Sequence, residues 1–295
     1  MRNAFINELV ALAEQYPHIA LVVGDLGYSV VEPFADRFPE RFINAGVAEQ
    51  NMTGLAAGMA SEGYHVFTYS IANFPTFRSA EQIRNDVDYQ GLSVTVVAVG
   101  GGLAYGALGY SHHAIQDYAL MRAMPNMLIA APGDPLETRA CLKYLVENPQ
   151  PSYLRIGKAG EPVFHRTVPE IVPGGWLPIS SGCDGRSDKV LLSTGATLGH
   201  AVALKQRSEY AEYAVYSMPL WGMRQKAAQG CRVANVQRIV TLEDHLHDGG
   251  FGSWLMESLA TAPELRERLH AIALDPIVCG LVGSQKTLNA KGGLV

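Results

Sequence analysis

Short apolar runs recur through the first half of the chain, at 19–23, 41–44, 65–69, 93–99, 126–131 and 152–156. Segments with helical periodicity separate them. Runs this short and this apolar suit strands buried on both faces. Strands that alternate with helices build a parallel sheet covered on both sides. The segment 3–15 carries Phe5, Ile6, Leu9, Val10 and Leu12 at helical spacing. Another helix runs from Pro135 to Glu147, with Asp134 as its N-cap and Pro135 at its first position. From 157 onward the periodicity lapses among prolines and glycines, the mark of a linker. It resumes with strands at 189–193, 213–217, 238–242 and 270–274 and helices near 199–209, 223–229 and 252–260. The expectation is an α/β protein of two consecutive domains: 1–160 with a mostly parallel sheet, a linker over 161–187, and a smaller α/β domain over 188–295.

Composition narrows the function. The 295 residues are 48% hydrophobic and 17% charged, enough for two cores, and the net charge of -5 includes no basic block that would suit nucleic acid. No apolar run reaches membrane-spanning length, and Glu8 and Glu14 interrupt the apolar residues near the start, so no secretory leader is expected. Cys141, Cys183, Cys231 and Cys279 are scattered and form no CxxC pair. They read as free thiols of a cytoplasmic protein, not as a disulfide frame or a metal site.

The stretch 42–52 organises the first domain. A short strand runs into Gly46, and a helix opens with Glu49 in its first turn and Gly54, Ala56, Ala57, Gly58 and Ala60 along one face. Two readings of Glu49 fit. It is a capping-box residue behind a Gly46 N-cap, or a carboxylate kept ionised at a helix N-terminus for chemistry. Asp25 ends the first strand, where open α/β sheets place ligand groups or ordinary turns. Phe74 and Phe77 cluster where the 65–69 strand turns into a helix, either as core or as a platform for a flat ring. The glycine-rich segment 100–113 matches neither a phosphate loop nor a dinucleotide fingerprint. It reads as a flexible loop presenting the pair His112-His113. No third ligand stands at metal-binding spacing from them. The segment 243–252 follows a strand and feeds a helix, and reads as a polar connection or an interface loop.

Taken in order, Asn44-Ala45-Gly46-Val47-Ala48-Glu49-Gln50-Asn51, the stretch 74–86, Gly109-Tyr110-Ser111-His112, Pro132-Gly133-Asp134, Leu154-Arg155 and Leu242-Glu243-Asp244-His245 resemble the transketolase and deoxyxylulose-phosphate synthase group of thiamine-diphosphate enzymes. The resemblance covers the pyrimidine-binding and carboxy-terminal domains of that group, essentially the whole chain. It implies that Glu49 meets the cofactor's aminopyrimidine nitrogen and that Phe74 and Phe77 pack beside that ring. It places His112 toward substrate and makes Arg155 the holder of a phosphate; His113, beside His112, and Asp25, at its strand end, are expected as further substrate contacts. Leu108 stands where some members carry an acid that touches a substrate hydroxyl, and His113 replaces a glutamine. The group's Gly-Asp-Gly…Asn-Asn site for diphosphate and Mg²⁺ is missing. Gly24-Asp25-Leu26 is not that motif, and Gly182-Cys183-Asp184-Gly185 has no Asn pair after it.

The resemblance therefore implies the β-type subunit of a split, transketolase-like enzyme that passes a two-carbon ketol unit between sugars. A separate amino-terminal subunit would hold Mg²⁺ and most of the thiamine diphosphate, in a heterotetramer. The alternatives are a subunit that decarboxylates a 2-oxo acid, as deoxyxylulose-phosphate synthase does, and a non-catalytic assembly subunit.

Overall fold

A computed structural model of the chain describes residues 1–179 and 188–294. Gly182-Cys183-Asp184-Gly185 lies outside them. The strands of the first half are β1 (Ile19–Val23), β2 (Phe42–Asn44), β3 (His65–Ile71), β4 (Val94–Val99), β5 (Leu128–Ala130) and β6 (Ser152–Ile156). Those that follow are β7 (Leu177–Pro178), β8 (Lys189–Ser193), β9 (Ala214–Ser217), β10 (Leu220–Gly222), β11 (Arg238–Leu246) and β12 (Leu269–Leu274). They form two sheets, in the orders β10-β5-β6-β4-β3-β1-β2 and β12-β11-β8-β9-β7. Pairing is parallel except that β10 runs antiparallel to β5, and β7 to β9.

The period of two along a strand explains how the first sheet is covered. Leu21 and Val23 join a core with Phe5, Ile6 and Leu9 of helix Arg2–Gln15. Val22, between them, points the other way and packs with Met52 and Ala56 of helix Glu49–Ser61. Burying each large apolar side chain contributes about 1.5–3 kcal/mol. An exposed pair such as Arg37–Glu14, at 3.1 Å, contributes about 1 kcal/mol or less. The apolar stripe therefore decides where the first helix lies.

The two sheets are knitted together. Strand β10 leaves the second sheet's neighbourhood to pair with β5, and Ala131 N donates to Pro219 O at 2.7 Å. Trp221 on β10 is fully buried and donates to Thr194 Oγ1 at 3.0 Å. Gly133 is required at the crossing, because a Cβ there would stand 2.6 Å from Leu198 Cδ2. One apolar cluster runs from Val22 through Trp221 to Leu192 of β8. Within the expected linker, Asp134 Oδ2 accepts from Phe164 N at 2.8 Å and His165 N at 3.2 Å, which ties that segment to the first sheet's helix.

Several expectations change. The helix expected after Thr76 is broken into Asn73–Phe77, Ala80–Gln82 and a wider-wound turn over Ile83–Asp88. Residues 243–246 continue β11 and are not a connection, since Glu243, Asp244 and His245 are all buried. Gly54 and Gly58 face open space; the alanines of that helix make the close packing. The glycine-rich loop is pinned at its base by paired bonds between Gly102 and Ala114, at 2.8 and 2.9 Å.

Candidate active site

The carboxyl ends of β1, β2, β3 and β4 lie side by side, and the loops leaving them carry the candidate residues. Glu49 is the first residue of its helix, behind Ala48 as N-cap, and it makes no capping bond. That removes the capping-box reading. Its side chain is only 4% exposed, yet Oε1 accepts from Arg78 Nη1 at 2.9 Å. Arg78 is half exposed and lies over the Phe74 ring at 4.3 Å. The Phe74 ring in turn meets His112 edge-on at 5.2 Å. Asn73 Nδ2 donates to Ser111 O at 3.1 Å and fixes the histidine loop against the Phe74 segment. Glu49, Arg78, Phe74 and His112 thus form one continuous surface, built from three separate loops.

Ser111 Oγ and His112 Nδ1 are hydrogen-bonded at 3.0 Å, which leaves Nε2 for a ligand. Partial burial, with smaller help from His113 and Arg78, holds the His112 pKa below the ordinary histidine value. The ring is therefore neutral near pH 7 and able to give or take a proton. Asp25 is half-buried in a left-handed turn, φ 54°, and accepts from Asn44 Nδ2 and Tyr28 OH, both at 2.9 Å. Those bonds lower its pKa, Asn44 first. Phe77 is exposed and makes no ring contact with Phe74 among the described residues. Tyr28, Val47, Leu108 and Tyr110 stand exposed around this surface as well.

Two expected substrate residues are not available to substrate. His113 is fully buried, with Nε2 3.4 Å from Gly106 O. The second ring of the pair packs inside the loop and does not face outward. Arg155 is 3% exposed, with its donors already engaged. Nε donates to Asp117 Oδ2 at 2.6 Å, Nη1 to Asp244 Oδ1 at 2.5 Å, and Nη2 to Ala114 O at 2.8 Å. Tyr118 lies beneath the guanidinium at 4.4 Å, and Tyr153 OH donates to Asp117 at 2.6 Å. Arg155 closes a buried ionic bridge from the first sheet to the second and has no fork left for a phosphate.

Arg78 is the main addition to the sequence reading. Its signal was present, a cation four residues after Phe74 at a strand-to-helix turn, but its partner Glu49 lies 29 positions away. Asp117 was missed because nothing local distinguishes it from a helix-start acid.

The residues fit one end of thiamine diphosphate. A buried carboxylate beside an aromatic ring suits an aminopyrimidine, which offers a ring nitrogen and a flat face. Among the described residues no cluster of three His, Cys, Asp or Glu side chains could hold a metal.

Comparison with known proteins identifies the family. The family model for the transketolase pyrimidine binding domain matches residues 1–160. A subunit of the apulose-4-phosphate transketolase of Phocaeicola vulgatus is 35% identical over 268 residues, which is 89% of this chain and 84% of that one. A putative transketolase C-terminal section of Methanocaldococcus jannaschii is 34% identical over 285 residues, 94% and 87% of the two chains. A solved structure described as a split gene transketolase, inactive beta4 tetramer, superposes with a TM-score of 0.84 at 30% identity, covering all of this chain and 93% of that one.

Proposed function

This chain belongs to the transketolase family as a carboxy-terminal, β-type subunit, and from that premise we propose that it completes its active site against a separate amino-terminal subunit. The reaction is transfer of a two-carbon ketol unit between sugars, most simply sugar phosphates. The enzyme depends on thiamine diphosphate, with its diphosphate and Mg²⁺ held by a Gly-Asp-Gly…Asn-Asn site on the partner and with two copies of each chain.

The observation that carries this reading is Glu49. A buried carboxylate at a helix start, serving no cap, is costly unless something ionic or hydrogen-bonding meets it. Arg78 meets it from solvent, on a side chain long enough to swing away when a ring nitrogen arrives. Thiamine diphosphate, when bound, supplies the carbon nucleophile and the electron sink. This chain's part is to hold a proton at the pyrimidine nitrogen through Glu49 and to pack Phe74, with Phe77, against the ring. His112, neutral and aimed outward, exchanges a proton with a substrate hydroxyl. Asp25 lies on the same rim and would meet the substrate or the partner chain. The exposed Tyr28, Val47 and Phe77 are apolar surface suited to the partner subunit.

Calorimetry separates the shared site from a self-sufficient one. Titrated with thiamine diphosphate and Mg²⁺, the purified chain should show no stoichiometric binding until the amino-terminal subunit is added. Tight binding by this chain alone would overturn the shared site.

A further inference from the structure

The loop that carries His112 leaves β4 at Gly100 and returns to the helix Asp117–Met121. Its two legs meet at the Gly102–Ala114 pair, and the Arg155 guanidinium lies on that junction. Nη2 donates to Ala114 O, the same carbonyl that accepts from Gly102 N, at 2.8 Å in each case. A Cβ at Gly101 would run into the guanidinium, and one at Gly102 into the Asp244 carboxylate. The bare backbone of these two glycines lets the charged groups come this close. Of the two acids in the bridge, Asp117 opens the helix after the loop, and Asp244 belongs to β11 of the second sheet. That second unit grips the loop at further points. Leu246 N donates to Ile115 O at 3.0 Å, and Gly283 N to Gly106 O at 3.2 Å. Leu103 and Ile115 are fully buried in an apolar cluster with Leu274, Val278 and Leu288. Beyond that grip the loop is open, with Leu108 and Tyr110 exposed and His112 partly so.

We propose that Arg155, held between Asp117 and Asp244, is a positioning residue for His112. The buried bridge fixes the base of the histidine loop, and through it the second sheet sets where the His112 ring stands beside Phe74. This rests on the reading of His112 as the group that exchanges a proton with substrate. Desolvation offsets most of the attraction in a buried ion pair, so stability alone is a weak reason for one. A guanidinium fork adds direction: it meets two carboxylates and a loop carbonyl at fixed angles, which an apolar contact would not impose. Direction matters here because proton transfer needs donor and acceptor about 2.6–3.2 Å apart. A catalytic group displaced by about 1 Å can lose roughly 10²-fold in rate.

Asp244→Ala frees one edge of the guanidinium and opens space beside Gly102, whereas Asp244→Asn keeps an acceptor for Nη1. Asp134→Ala is the comparison, because it destabilises the chain without touching the loop. NMR on the full chain alone reads the His112 ring protons, whose shifts depend on their distance from the Phe74 ring. Asp244→Ala should move those resonances, Asp244→Asn should bring them back toward the parent positions, and Asp134→Ala should leave them in place. In the enzyme assembled with its amino-terminal subunit, Asp244→Ala should lower kcat for ketol transfer by roughly 10- to 100-fold. Per folded enzyme, Asp134→Ala should keep the parent kcat. If Asp244→Ala fails to fold, Arg155→Lys takes its place with the same expected outcome, since it keeps a cation between the acids but has no fork to reach Ala114 O as well. The proposal is overturned if the His112 resonances and kcat of the bridge variant match the parent, or if Asp134→Ala changes both as much. Displaced resonances with an unchanged kcat would support the bridge as the loop's holder and overturn instead the proton-exchange role of His112.

Discussion

Glu49 and Arg155 are both buried ionic residues at the carboxyl end of the same sheet, and their partners give them opposite roles. The partner of Glu49, Arg78, is half exposed, so on the proposed reading it can give way to a ligand. Glu49→Gln keeps the shape but cannot share a proton with a ring nitrogen. In the assembled enzyme, hydrogen–deuterium exchange at the thiamine C2 should slow ~10²–10⁴-fold, the usual worth of proton-transfer assistance. The melting temperature should stay close to the parent value, because no cap is lost; unchanged exchange would remove Glu49 from the chemistry. Arg155 is enclosed by Asp117 and Asp244 on both sides. Arg155→Ala strands both carboxylates, and breaking such a pair costs about 3–5 kcal/mol. Urea unfolding should show that loss directly. A variant as stable as the parent, with a raised KM for phosphorylated sugars alone, would return Arg155 to the substrate.

Asp134 shows how one side chain at an element's end can position two others. It caps helix Pro135–Glu147 by accepting from Glu137 N at 2.7 Å, and its other oxygen holds the backbone at 164–165. Loss of a cap costs about 0.5–2 kcal/mol, and stranded donors add roughly 1–3 kcal/mol. Asp134→Ala should therefore lower unfolding free energy by about 2–4 kcal/mol, while Asp134→Asn, which keeps an acceptor, should recover part of it. An effect below about 1 kcal/mol would mean that the 164–165 segment finds other partners. The cap was legible from Asp134-Pro135. Its hold on the 164–165 segment was not, because that contact lies 30 residues away.

At the scale of the whole molecule, buried titratable groups set the pH dependence. Burial raises Glu243 to about 8 and Glu137 to about 7, against backbone N–H bonds that pull both down. Both acids bind more protons folded than unfolded above about pH 4.5, so each favours the fold less as pH rises through its folded value. His165 is also raised, through its bond to Asp134 against the opposing effect of burial, and acts in the same direction. Burial lowers His65 to about 3 and depresses His200 and His245, and these oppose the acids below the ordinary histidine range. As pH rises past 6.5 the lowered histidines finish losing their protons in the unfolded chain, while His165 and the two acids lose theirs in the fold, and these last decide the sign. Stability should therefore fall between pH 6.5 and 8, by about 2 kcal/mol for Glu243 alone. Melting temperatures across that range should decline for the parent and decline less for Glu243→Gln. Equal slopes would place the titration elsewhere.

The sequence by itself determined the α/β class, the positions of the strands expected from the apolar runs, and the placing of Glu49, Phe74 and His112 in the segments that follow strand ends. These follow from local rules: apolar runs, helical spacing and turn residues. Tertiary structure alone decided which charges stay accessible and which are enclosed. His113 carries the same local signal as His112, and the side chains of His113 and Arg155 are enclosed by residues from distant segments. The passage of β10 into the first sheet and the seating of Arg155 on the base of the histidine loop were equally hidden. Each depends on residues far apart in sequence, whose meeting is set by how two sheets bury their apolar faces together.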